Sequence, residues 1–165
     1  MRVIGHLNRT SLRLICGLIA AGLTPAPASV RSPDPAAQMI HDPRSGLAMF
    51  GYDPVAFLSD GRALAGRPEF SAYVGGLVWR FTTAANRAAF VASPEPYLPL
   101  FGGHDAKAIA EERMIVGDPA IFLILGGRTA FFRTAADRDA FAVDEKLRRK
   151  ALENWPRVAA QFAGH

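Results

Sequence analysis

Cysteine is almost missing from this chain of 165 residues: the single example, Cys16, lies inside the first apolar run. A chain shortened by residues 1–28 holds no thiol, which excludes disulfides and thiolate metal sites from it. Acidic residues are missing from the start, and none precedes Asp34. A long hydrophobic run is missing too. Leu14 to Leu23 supplies roughly ten apolar residues, against the 20 or so that span a bilayer as a helix. There is no G-x-S-x-G elbow, no phosphate-cradling glycine loop and no Cys-His pair, so the common hydrolase, nucleotide and thiol chemistries lack their residues. What is present is a chain of one-domain length, half of it apolar, which is enough to bury a core.

The beginning of the chain reads as a secretory signal over residues 1–28. Arg2, Arg9 and Arg13 form the basic region, Leu14 to Leu23 the apolar one, and Ala26-Pro27-Ala28 the small-residue cleavage element. Ile15 stands before Cys16 where a lipid-anchor signal wants a small residue, so cleavage before Ser29 and a periplasmic or secreted location are expected, with no membrane span afterwards. Residues 1–28 also hold three of the nineteen basic residues and none of the fifteen acidic ones. The formal +4 of the whole chain therefore becomes +1 without them, and no nucleic-acid partner is implied. Residues 29–45, with Pro33, Pro35 and Pro43, read as an extended tether. The domain proper is expected over 46–165.

Inside that domain the sequence repeats. Gly66–Val91 aligns without a gap on Gly117–Ala142: Gly66, Pro68, Gly75, Gly76, Phe81, Thr83, Arg87 and Phe90 recur as Gly117, Pro119, Gly126, Gly127, Phe132, Thr134, Arg138 and Phe141. Each unit reads as a strand opened by proline, a Gly-Gly hairpin turn, a return strand, and a helix capped by Thr83 or Thr134. Ala85, Ala89 and Phe90, and likewise Ala136, Ala140 and Phe141, form the expected buried side of each helix. The predicted fold class is α+β: two duplicated β-hairpin-plus-helix units packed into one small domain, sharing a sheet or a pseudo-dyad, with a C-terminal helical segment over 144–162. In that segment Leu147, Ala151, Trp155, Val158 and Phe162 make one stripe. Asp144–Arg148 and Glu145–Arg149 are favourable i,i+4 pairs, and Pro156 predicts a kink or two short helices. In "YDPVAFL", Asp53 is an expected helix cap with Pro54 at the first position.

The stretch Phe101 to Ala110, "FGGHDAKAIA", holds the candidate chemistry. Asp105 is placed to cap the following helix. His104 reads either as a loop histidine or as a ligand, and imidazole with carboxylate suits zinc, copper or nickel. His41, Asp42, Tyr52, Asp53, Glu111 and Glu112 are the other candidate partners, none at a diagnostic spacing such as H-x-x-x-H. The aromatics Phe50, Tyr52, Phe57, Tyr73, Trp79, Tyr97 and Phe101 read either as core or as the lining of a pocket.

The run from "GYDPVAF" through "GRPEFSAYVGGLVWRFTTAANRAAFV" to "PYLPLFGG", Gly51 to about Ala110, resembles the YHS-domain family in its secreted bacterial branch. The resemblance implies a small α+β domain related to treble-clef, metal-associated modules, some of which bind heavy metals through cysteine. Relatives commonly carry an aromatic residue and then a cysteine after the double glycine, where this chain has His104 and Asp105. Exchange of a thiolate for nitrogen and oxygen donors predicts a shift from Cu(I) toward zinc, nickel or Cu(II). The expected function is an exported YHS-like binding module for a divalent metal or a small ligand, with His104 as metal ligand and His104, Asp105, Tyr52 and Asp53 as the ligand-binding set. A structural domain with an unknown protein partner and an enzyme using His104 as acid/base are the alternatives, and the enzyme has the least support.

Overall fold

A computed structural model of the protein describes residues 38–162. The expected signal (1–28), its cleavage element and the first part of the tether lie outside the described residues. Six strands and five α-helices are present among them: β1 (His41–Asp42), β2 (Leu47–Ala48), α1 (Ala56–Ser59), β3 (Arg67–Val74), β4 (Leu77–Phe81), α2 (Ala84–Ala92), α3 (Ala106–Ala110), β5 (Asp118–Leu125), β6 (Arg128–Phe132), α4 (Ala135–Val143) and α5 (Glu145–Phe162). The class is α+β. None of the described helices is long and apolar enough to cross a membrane.

The two hairpins are built alike because their punctuation is alike. Gly75-Gly76 and Gly126-Gly127 all have positive φ, the backbone that a tight hairpin turn demands. Arg67 pairs with Phe81 and Ser71 with Arg80, the register breaking between them. Asp118 pairs with Phe132 and Phe122 with Phe131, with the same break. Pro68 and Pro119 fall inside these breaks, where no ladder N–H is required. Thr83 accepts a hydrogen bond from the Asn86 amide at 3.0 Å and Thr134 from the Asp137 amide at 3.1 Å, capping α2 and α4 as expected.

The strands do not join one sheet. β1-β2-β4-β3 form one, with β2 parallel to β4, and β5-β6 form another. β6 joins the two apolar clusters. Its Phe131 belongs to the first, with Phe57, Trp79, Phe81 and Phe90, while Ala130 and Phe132 belong to the second, with Phe101, Ile109, Phe141 and Val158. Within the first cluster Phe57 packs against the second hairpin, its ring centroid 5.2 Å from that of Phe131 and 4.9 Å from that of Phe122. In the first hairpin Arg80 stands where the second has Phe131, so that face of β4 cannot bury in the same way.

Four expectations need correction. Ala85 and Ala136 are exposed and Ala89 and Ala140 half-buried, so each short helix is anchored by its phenylalanine, Phe90 or Phe141, instead of by an alanine face. The tether is not extended throughout: Met39 and Ile40 are buried in the first cluster, and His41–Asp42 pairs with Leu47–Ala48. α5 runs as one helix through Pro156, which lies on the exposed side, where water can meet the carbonyl that proline leaves unpaired. Finally, Asp144 accepts hydrogen bonds from the Lys146 and Leu147 amides, and Arg148 donates to the carbonyls of Phe141 and Ala142. Both side chains are thus spent at helix ends and do not form the i,i+4 pair.

Candidate functional site

His104 and Asp105 follow a backbone turn that the chain makes twice. Phe101, Gly102 and Gly103 have φ of 55°, 59° and 83°, and Met49, Phe50 and Gly51 have 50°, 53° and 87°. In each case the third amide on closes back on the first carbonyl: Tyr52 on Met49 at 3.1 Å, His104 on Phe101 at 3.0 Å. The next amide, of Asp53 or Asp105, reaches Leu64 or Ile115, each at 2.8 Å. In this fold Tyr52-Asp53 and His104-Asp105 therefore occupy matching places, upstream of the segments whose sequences repeat.

The two aspartates are interior supports. Asp105 is 2% exposed; Oδ1 accepts from the Ala108 amide at 2.9 Å, capping α3, and Oδ2 accepts from the Arg133 amide at 2.6 Å. Asp53 is fully buried and accepts from the Val55 and Ala56 amides, the Thr82 amide and hydroxyl, and the Asn86 side-chain amide. Neither carboxylate is free to take a ligand, so both leave the ligand-binding set. Nor does Asp105 orient His104: the imidazole donates from Nδ1 to the Phe101 carbonyl at 3.0 Å. An acid/base couple between the two is not formed.

His104 opens onto a cavity of about 460 Å³, whose walls include Gln38, Met39, His41, Phe50 and Met114. Because a carbonyl only accepts, Nδ1 carries the proton and Nε2 the lone pair. Nε2 has no hydrogen-bond partner among the described residues. Burial opposes charging of the ring and pulls its pKa below the usual histidine value, with the bond to Phe101 partly offsetting this. Tyr52 lines a different cavity, of about 530 Å³, with Gly117, Asp118 and Arg133; Phe50 and Val116 contribute to both. The structure thus separates Tyr52 from His104.

The remaining candidates are accounted for at the surface. Asp42 accepts from the Arg44 amide and the Ser45 hydroxyl, Glu111 pairs with Lys107 at 3.0 Å, and Glu112 pairs with Arg157 at 2.6 Å. Of the aromatics, Phe57, Trp79 and Phe101 are core, while Tyr73 is 75% exposed. Among the described residues no three His, Cys, Asp or Glu side chains come together to hold a metal. A divalent site of imidazole and carboxylate donors around His104 therefore lacks its partners. Reading the sequence offered Phe50 among the possible pocket aromatics but missed Met39 and Met114, and the only hint of them was the apolar pair Met39-Ile40 set among prolines. The chain matches no protein-family model, no curated protein and no solved structure.

The depressed His104 pKa has a definite consequence for folding. Above about pH 6.5 the ring is neutral in both the folded and unfolded chain and contributes no pH dependence. Below it the unfolded chain takes up a proton that the folded one resists, so stability falls until the folded ring also titrates. Urea unfolding at about pH 7.5 and about pH 5.5 should show this loss in wild type and a smaller one in His104→Asn. An identical loss in both proteins would mean that the ring is as well solvated as in the unfolded chain.

Proposed function

We propose that this chain is an exported binding module of the YHS-like kind, in which two related hairpin units carry one ligand site beside His104. The observation that supports it is the His104 ring itself. It is neutral, held by the Phe101 carbonyl, and its unprotonated nitrogen is left open in a mostly apolar cavity. Ligand pockets are commonly concave and apolar with a few fixed polar groups, which is the character of this one. The basic and apolar leader supports export to the periplasm or beyond.

A set of small organic fragments, read through the His104 ring signals in NMR, tests this reading, with calorimetric titration of zinc and Cu(II) as the comparison that the missing carboxylate partners disfavour. Binding should be present in wild type, lost in His104→Ala and kept in Asp105→Ala, because Asp105 serves the backbone and not the ligand. If no probe binds, or if His104→Ala binds as wild type does, the site reading fails and a structural or protein-interaction domain takes its place.

A further inference from the structure

The walls of the cavity beside His104 include four side chains that carry soft or borderline donor atoms. His41 and His104 supply imidazoles, Met39 and Met114 supply thioethers, and among the described residues no aspartate, glutamate, lysine or arginine lies on its walls. The four come from three separate segments that backbone hydrogen bonds tie together. The Ile40 amide donates to the Gly102 carbonyl at 2.8 Å, which brings Met39 and His41 alongside the turn that ends in His104. The Asp105 amide donates to the Ile115 carbonyl at 2.8 Å, and His104 bridges to Val116, which brings Met114 to the same place.

Both histidines are prepared in the same way. Nδ1 of His41 donates to the Met39 carbonyl at 2.8 Å, as Nδ1 of His104 does to Phe101. Each ring is thereby fixed in the tautomer that leaves the Nε2 lone pair unprotonated, and neither Nε2 has a hydrogen-bond partner among the described residues. A histidine whose far nitrogen is held by a carbonyl is the usual arrangement around a bound metal.

The charge of the walls then decides which metal. A dication in a mostly apolar cavity without carboxylates keeps its full charge in poor solvent, which is costly. A soft monovalent cation loses less hydration and is the ion that thioethers select. We infer that this cavity binds Cu(I), through Nε2 of His41 and His104 and the thioether sulfurs of Met39 and Met114. The inference rests on the binding-module reading and specifies its ligand. It also reverses the preference for divalent ions expected from His104 and Asp105, because Asp105 faces the backbone.

The test is an anaerobic titration of the full chain carrying Cys16→Ser, so that no thiolate competes, against a chromogenic Cu(I) chelator. One Cu(I) should bind per chain. Met114→Leu, which conserves volume, and His41→Ala should each weaken it at least roughly tenfold, the lower end of what loss of even an outer partner costs a metal site. Zinc affinity should be weaker and indifferent to Met114→Leu, and near-UV circular dichroism should show both variants folded. Failure of wild type to compete, or wild-type Cu(I) affinity in both variants, overturns the Cu(I) site. If zinc or an organic fragment still binds in a His104-dependent manner, the binding module stands and only the copper assignment falls. If nothing depends on His104, both fall.

Discussion

Gly102→Ala should destabilise the protein by on the order of 5 kcal/mol, enough to unfold much of it if its stability is typical. Two costs combine. Gly102 has φ +59°, where an L side chain is strained by about 1–2 kcal/mol. A Cβ built there would also lie 2.2 Å from the carbonyl oxygen and 3.0 Å from the carbonyl carbon of Gln38. Those are backbone atoms, so no side chain can swing aside, and the segment beginning at Gln38 must lift away. Lifting it exposes Met39 and Ile40, each 4% exposed in place, and burial of such side chains contributes roughly 1.5–3 kcal/mol apiece. It also breaks the bond from the Ile40 amide and removes Met39 and His41 from the cavity wall. Gly76→Ala is the matched control: its φ is +81°, but a Cβ there meets nothing within 4 Å, so only the conformational strain should appear. Denaturant midpoints of the two variants decide the matter. Equal losses would mean that Gly102 is needed for its φ alone and that the Gln38 segment is not firmly docked.

That docking marks the limit of what could be read from the residues alone. The hairpins and caps were legible because their determinants are local: a glycine pair sets each turn, and a threonine three residues before Asn86 or Asp137 sets each helix start. Asp105 as a cap was legible for the same reason. Met39 and Ile40 were not, since two apolar residues among prolines carry no period and their partners lie far along the chain. The matching turns at Met49–Gly51 and Phe101–Gly103 were hidden differently. Their residue types differ, and the stretch from Asp105 to Ile115 is one residue shorter than that from Asp53 to Leu64, so an ungapped comparison loses the register. The cavity was the least legible feature, being assembled from three segments by backbone bonds. His104 was singled out as a ligand-facing residue and lies on a cavity wall, but the partner expected for it, Asp105, turns inward. Pro156 misled because the rule against proline inside a helix weakens where the freed carbonyl faces water.

Asp53→Ala should also cost on the order of 5 kcal/mol, and clearly more than Asp105→Ala, although the two aspartates sit at matching turns. Asp105 receives two backbone amides, those of Ala108 and Arg133. Asp53 receives five donors. Oδ1 takes the Val55 amide at 2.8 Å and the Ala56 amide at 3.3 Å, and Oδ2 takes the Thr82 amide at 2.7 Å, the Thr82 hydroxyl at 2.8 Å and the Asn86 side-chain amide at 2.7 Å. The last three tie the start of α1 to the link between β4 and α2. The second unit cannot repeat this, because Arg133 has no hydroxyl in place of Thr82 and the Asp137 side chain has no NH₂ in place of that of Asn86. Hydrogen bonds to a carboxylate contribute roughly 1.5–3 kcal/mol each, and a donor stranded in the interior costs about 1–3 kcal/mol. Since Asp53 is fully buried, the space left by alanine admits water poorly, and the three distant donors lose their partner together. Water can rescue part of the loss at the first turn of α1, which keeps the total below a simple sum. Asp105→Ala, losing one cap and one distant amide, should cost about 2–3 kcal/mol. Asp53→Asn should fall between Asp53→Ala and wild type, keeping one acceptor oxygen while setting an NH₂ against donors. Urea unfolding of the four proteins gives the order directly. A loss in Asp53→Ala no larger than in Asp105→Ala would mean that Thr82 and Asn86 find other partners, and that α1 is held by packing of Phe57 instead of by this carboxylate.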